Sequence, residues 1–100
     1  MRKIEKEMNH SISALLNNRG VYRWQKANTS ITSNYAGECE VFLHNNHIAT
    51  VSKEGLKVNL DTLRKWPSMT TRSRLRALGA DLVSIKGTLH LDGRSIWEGA

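Results

Sequence analysis

One hundred residues, 39% hydrophobic and 24% charged, are enough for one domain with its own core and too apolar for a disordered chain. Fifteen Lys and Arg against nine Asp and Glu leave a formal charge of +6, which serves solubility alone or meets an anionic partner such as nucleic acid, a nucleotide or an acidic protein surface. The single cysteine, Cys39, excludes an intramolecular disulfide, and no apolar run approaches the ~20 residues that cross a bilayer, so a reducing cytoplasm and no membrane partner are expected.

The N-terminal Met-Arg-Lys-Ile-Glu-Lys-Glu mixes both signs of charge and has no apolar stretch of the signal-peptide kind. Residues 3–18 are expected to be helical. Ile4, Met8, Ile12, Leu15 and Leu16 fall on one face of a 3.6-residue period, and Asn17-Asn18-Arg19-Gly20 is a stop signal. In Val21-Tyr22-Arg23-Trp24-Gln25-Lys26 two aromatics alternate with two cations. That pattern suits base stacking beside phosphates, or a strand with packed aromatics and solvated cations. From 28 to 35 a polar strand is expected, with Thr29, Ile31, Ser33 and Tyr35 on one face.

Ala36-Gly37-Glu38 reads as a turn. The next run places Cys39, Val41 and Leu43 opposite Glu40, Phe42 and His44. Cys39 is then a small buried hydrophobe, with no basic neighbour in sequence to activate its thiol. Asn45-Asn46 predicts a tight hairpin to a partner strand, Ile48-Ala49-Thr50-Val51. After Lys53-Glu54-Gly55, a strand carries Leu56, Val58 and Leu60 on one face, and Asp61 caps a short helical turn through Leu63. At the C-terminal end, Lys86-Gly87 and Asp92-Gly93 punctuate alternating apolar runs and predict a three-strand meander over 82–97. The expected class is α+β in one domain over 1–100. It has an antiparallel sheet of five to six strands (hairpins over 28–60 and the meander), an N-terminal helix and a second short helix at 70–79.

The basic stretch from Leu63 to Gly79 stands out. It holds Arg64, Lys65, Arg72, Arg74 and Arg76, no acid, and the only proline, Pro67. Pro67 disfavours helix at Trp66. Thr70 or Thr71 can cap a helix running to Leu78, with Gly79 just past its end and Met69, Leu75 and Leu78 towards the core. Arg72 and Arg76 share a face, while Arg74 points elsewhere. Cations in a first helical turn oppose the helix dipole. An anion docked there reverses the sign, because free amides, the hydroxyls of Thr70, Thr71 and Ser73, and the arginine forks converge on it. The alternative is a solvated helix whose arginines pair with Glu38, Glu40 or Glu54.

Enzymatic signals are weak. His44 and His47 are too few for a zinc site. No glycine-rich phosphate loop, nucleophile elbow or suitably spaced acid pair occurs, so neither enzyme, catalytic residue, metal nor cofactor is expected.

Three motifs in order carry a resemblance: Asn28-Thr29-Ser30; Leu43-His44-Asn45-Asn46-His47-Ile48-Ala49; and Thr70-Thr71-Arg72-Ser73-Arg74-Leu75. Together, over about residues 24–78, they resemble a family of unknown function encoded by tailed bacteriophages. Where that family carries a glycine in the hairpin, this chain has Asn45. The resemblance implies a viral accessory protein in host bacterial cytoplasm, and it draws Asn28, Thr29, Asn46, Thr70, Thr71 and Arg74 together as one shared site. Three readings stand. In the first, a nucleic-acid-binding module sets Arg64, Lys65, Arg72, Arg74 and Arg76 against phosphates and stacks Trp66 or Trp24 on a base. In the second, a phage inhibitor meets a host or defence protein, or sequesters a nucleotide, through the strand Thr29 to Asn34 and the Asn-rich hairpin. In the third, the chain is a virion or assembly component. Nothing in the pattern sets an oligomeric state.

Overall fold

The computed structural model describes residues 1–17, 23–34 and 36–98. The chain opens with α1 (Lys3–Asn17) and continues through β1 (Arg23–Lys26), β2 (Thr29–Ser33), β3 (Cys39–Leu43), β4 (Asn46–Ser52) and β5 (Gly55–Val58). Two helices follow, α2 (Leu60–Lys65) and α3 (Met69–Ala77), and then β6 (Leu82–Ile85), β7 (Thr88–Leu91) and β8 (Arg94–Ser95). The strands make two antiparallel sheets, one of five in the order β1 to β5 and one of three in the order β6 to β8. The class is α+β, as expected. The described residues form eight strands where five to six were expected, β1 among them, and the helical turn expected through Leu63 is α2. The expected stop signal around Gly20, and Tyr35, lie outside the described residues.

Period-two patterning sets the inner face of the larger sheet. Thr29, Ile31 and Ser33 of β2 pair across with Leu43, Val41 and Cys39 of β3, and all six are buried. A bulge interrupts the next pairing, because Val41 faces Ala49 while Phe42 faces His47. The extra residue allows consecutive Ile48 and Ala49 both to be buried, which a regular strand forbids. Helices α1 and α3 cover this face with Met8, Ile12 and Leu75.

The turn between β3 and β4 sits one residue earlier than expected. His44 and Asn45 take positive φ (50° and 65°), and Asn46 already pairs with Leu43. Two left-handed residues in succession match the twist of a two-residue hairpin, and Asn45 tolerates that conformation where a glycine would adopt it freely. Lys86-Gly87 and Asp92-Gly93 make the same kind of turn, as their sequence predicts.

Two caps also differ from expectation. Asn59, not Asp61, starts α2: its side chain accepts from the Thr62 amide at 3.3 Å, so Leu60 begins the helix instead of extending β5. Ser68, not Thr70 or Thr71, starts α3, accepting from the Thr71 amide at 3.1 Å. The shift turns the helix. Met69 becomes its first residue and is 73% exposed, while Thr71, Arg74 and Leu75 face the core at i, i+3 and i+4. Gly79 follows the helix end with φ +111°. Replacing Ser68 by Ala should leave the Thr71 amide without its acceptor and cost about 1 kcal/mol. Urea unfolding should show a lower midpoint with an unchanged slope.

Candidate anion-binding cleft

The arginines of the basic stretch have separate fates. Arg74 is 4% exposed. Its Nη1 donates to Glu5 Oε2 at 2.8 Å, and its Nε donates to Thr29 Oγ1 at 3.0 Å. Ser73 Oγ donates to the same Glu5 oxygen at 2.6 Å. Thr29 Oγ1 in turn donates to Asn28 Oδ1 at 3.1 Å. Arg74 therefore already has its anion, a carboxylate from α1, and Ser73 and Thr29 are spent in the same buried network. Arg76 Nε donates to the Leu82 carbonyl at 2.8 Å and fixes α3 to β6. Arg64 Nε donates to the Ile96 carbonyl, and its Nη1 pairs with Asp61 at 3.2 Å. The acids expected as partners, Glu38, Glu40 and Glu54, are not the ones these arginines use. Arg74 is thus held inside the fold, whereas Arg64 and Arg76 join elements through Nε and Arg76 remains exposed.

Burial acts to raise the Glu5 carboxyl, but the Ser73 hydroxyl, the Arg2 amide and the Arg74 guanidinium outweigh it and hold the group below the ordinary glutamate value. Glu5 is thus a buried carboxylate, satisfied on both oxygens.

Lys65, Trp66, Thr70, Thr71 and Asn46 do come together. They line a cleft of about 730 Å³ between the β3–β4 hairpin and the α2–α3 elbow. The hairpin contributes Leu43, His44, Asn46 and Ile48, and α2 contributes Thr62 and Lys65. The elbow itself, Trp66-Pro67-Ser68, forms the rim, and Thr70 and Thr71 close the cleft from α3. No acid lines it. Trp66 is 51% exposed, with Lys65 Nζ 6.0 Å from its ring centre. The Thr71 hydroxyl is paired with Ser68 Oγ at 3.0 Å, which leaves Thr70 as the freer hydroxyl. The amides of Met69 and Thr70 open α3 without intrahelical acceptors.

Asn46 shares the cleft but not the buried network. Thr29 and Arg74 meet in the core, while Asn46 Nδ2 bonds the His44 carbonyl at 3.3 Å. The resemblance motifs thus divide between two places. They touch at one seam, where the His44 amide donates to the Asn28 carbonyl at 2.8 Å. Trp24, the other stacking candidate, is half-buried against the core, and its neighbour Lys26 pairs with Glu7.

Three residues that shape this region were not singled out from the sequence. Glu5 holds Arg74; Asn59 caps α2 and also donates to the His47 carbonyl at 3.0 Å; Ser68 caps α3. One signal was present for the first. Glu5, Met8 and Ile12 stand at i, i+3 and i+7, so an acid occupied the core stripe and needed a buried partner. Cys39 is buried in the core, and that burial pushes its thiol up. Among the described residues no group of three or more His, Cys, Asp or Glu is arranged to hold a metal, and no helix is long and apolar enough to cross a membrane.

Fold and cleft together define a small α+β protein with two antiparallel sheets and an acid-free cleft against a helix start. Over residues 1–95 the chain matches the family described as Kyanoviridae Gp96 protein, and it belongs to that family. It is therefore a tailed-phage protein, and the likeness reaches well beyond residues 24–78 to include α1 and most of the C-terminal meander. Comparison with curated proteins and with solved structures returned no significant match.

Proposed function

We propose that this phage protein is a non-enzymatic binding module for single-stranded nucleic acid, working in the host bacterial cytoplasm. The observation that carries the reading is the pairing of a half-exposed Trp66 with Lys65 at the rim of an acid-free cleft. A nucleotide presents a planar base and an anionic phosphate, and an aromatic face beside a cation complements both. The internal bonds of Arg64 and Arg74 argue against a broad basic groove for duplex phosphates. A cleft with one aromatic and one cation fits an exposed strand better.

The test is a fluorescence-anisotropy titration with a labelled twelve-residue thymidine oligonucleotide, at two salt concentrations, with the matching duplex as competitor. Binding should be stronger to the single strand and weaken with salt. Trp66→Ala should cost about 1–3 kcal/mol, the usual worth of one stacked base. Lys65→Gln should lower the magnitude of the log–log salt slope by about 0.7, the value of one phosphate contact on a single strand. Binding that is absent at low salt, or indifferent to salt, would end the proposal.

A further inference from the structure

Arg72 is the arginine left over. Its Nε is buried and has no hydrogen-bond partner among the described residues, whereas Arg64, Arg74 and Arg76 each place theirs on an acceptor. A buried charged donor without an acceptor is costly, and folded proteins supply one from protein, water or ligand. Arg72 lines a second, smaller cleft of about 240 Å³ on the other side of the elbow, between α3 and the C-terminal meander. Ser84, Gly87 and Thr88 of the β6–β7 hairpin form one wall, and Trp97, 56% exposed, stands at another. Among the described residues no acid lines this cleft either.

A guanidinium fork and two hydroxyl donors in a small acid-free hollow match the acceptor oxygens of a phosphate. A carboxylate would use the fork as well, but two further hydroxyls favour a group with more than two acceptor oxygens. Both clefts include Pro67, so they flank the same three-residue elbow. We infer that Arg72, Ser84 and Thr88 form a phosphate site. On the nucleic-acid reading above, on which this assignment of its source rests, the site takes a backbone phosphate of the strand whose neighbouring nucleotide occupies the larger cleft. A free phosphorylated small molecule is the other source of the same chemistry.

Two measurements test the site. In the first, arginine Nε–H resonances of ¹⁵N-labelled protein are followed while inorganic phosphate replaces chloride at constant ionic strength, with Arg72→Gln identifying the Arg72 signal. A saturable shift of that signal is expected. A shift that does not saturate, or that all arginines share, overturns the phosphate site. In the second, the thymidine oligonucleotide is titrated into Arg72→Gln and Arg72→Lys. Gln should weaken binding about three- to tenfold and lower the salt slope by about 0.7, while Lys, keeping the charge without the fork, should fall between. Circular dichroism checks that both variants fold. If the oligonucleotide binds but Arg72→Gln binds it equally, the strand assignment is wrong while the larger cleft stands. If phosphate saturates Arg72 and no oligonucleotide binds the unmodified chain, the larger cleft's reading falls and the site belongs to a small phosphorylated ligand.

Discussion

Glu5→Gln is expected to destabilise the fold by about 3–5 kcal/mol, the usual cost of removing one partner from a buried ion pair. The Glu5 and Arg74 side chains are 3% and 5% exposed, so the stranded guanidinium cannot turn to water without opening the contact between α1 and α3. For a chain of this length, with a total stability of about 5–15 kcal/mol, that is a large share. Chemical denaturation at neutral pH measures it. Removing both charges together, as Glu5→Leu with Arg74→Met, should be much milder than either single change, because no unpaired charge stays buried. A double variant as unstable as the sum of its parts would show that the pair is not coupled.

The same pair sets the acid limit. The Glu5 carboxyl lies below the ordinary glutamate value in the folded chain. The folded state therefore favours the ionised form. The stability this contributes is fully present above the unfolded glutamate value, and it is lost as pH falls through the folded one. Stability of the unmodified protein should thus rise with pH across the acid range, and Glu5→Gln should remove up to one proton's worth of that dependence, about 1.4 kcal/mol per pH unit at most. An unchanged acid limb in Glu5→Gln would place the titration elsewhere.

Leu63→Ala is the second large effect, expected at about 2–5 kcal/mol. Leu63 is 1% exposed and is the buried residue of α2. A six-residue helix is far too short to persist alone, so α2 depends on docking. Its further anchors are the partly buried Leu60, the Asn59 cap, which ties it to β4 through the Ile48 and His47 carbonyls, and Arg64 on the Ile96 carbonyl. Because α2 carries Lys65 and leads into Trp66, a chain still folded after Leu63→Ala should also bind the thymidine oligonucleotide more weakly. Thermal unfolding and the anisotropy titration read the two effects separately. Weaker stability with unchanged binding would mean that the cleft does not depend on α2.

Much of the architecture follows from short-range pattern. The apolar stripe of α1, the alternation in β2 and β3 and the Lys86-Gly87 and Asp92-Gly93 turns are local properties, and local geometry enforces them. Misplacements of one to three residues came where several polar residues compete for one role. Asn59 and Asp61 could each cap α2, as Ser68, Thr70 and Thr71 could each cap α3. Which one wins depends on where the preceding strand or proline releases the chain. The bulge that buries both Ile48 and Ala49 breaks period two and has no local signature.

The α+β class, the net positive charge and the concentration of cations and hydroxyls between Leu63 and Gly79 are all written in the order of the residues. Where those cations end up depends on contacts between distant parts of the chain. Arg74 was drawn inward by Glu5, sixty-nine residues away, and Arg76 and Arg64 were taken by carbonyls of the C-terminal meander. Lys65 and Arg72 were left lining two acid-free clefts on either side of Pro67. The reason is that charge is a property of a residue, whereas its availability is set by burial and by partners that distant parts of the chain supply.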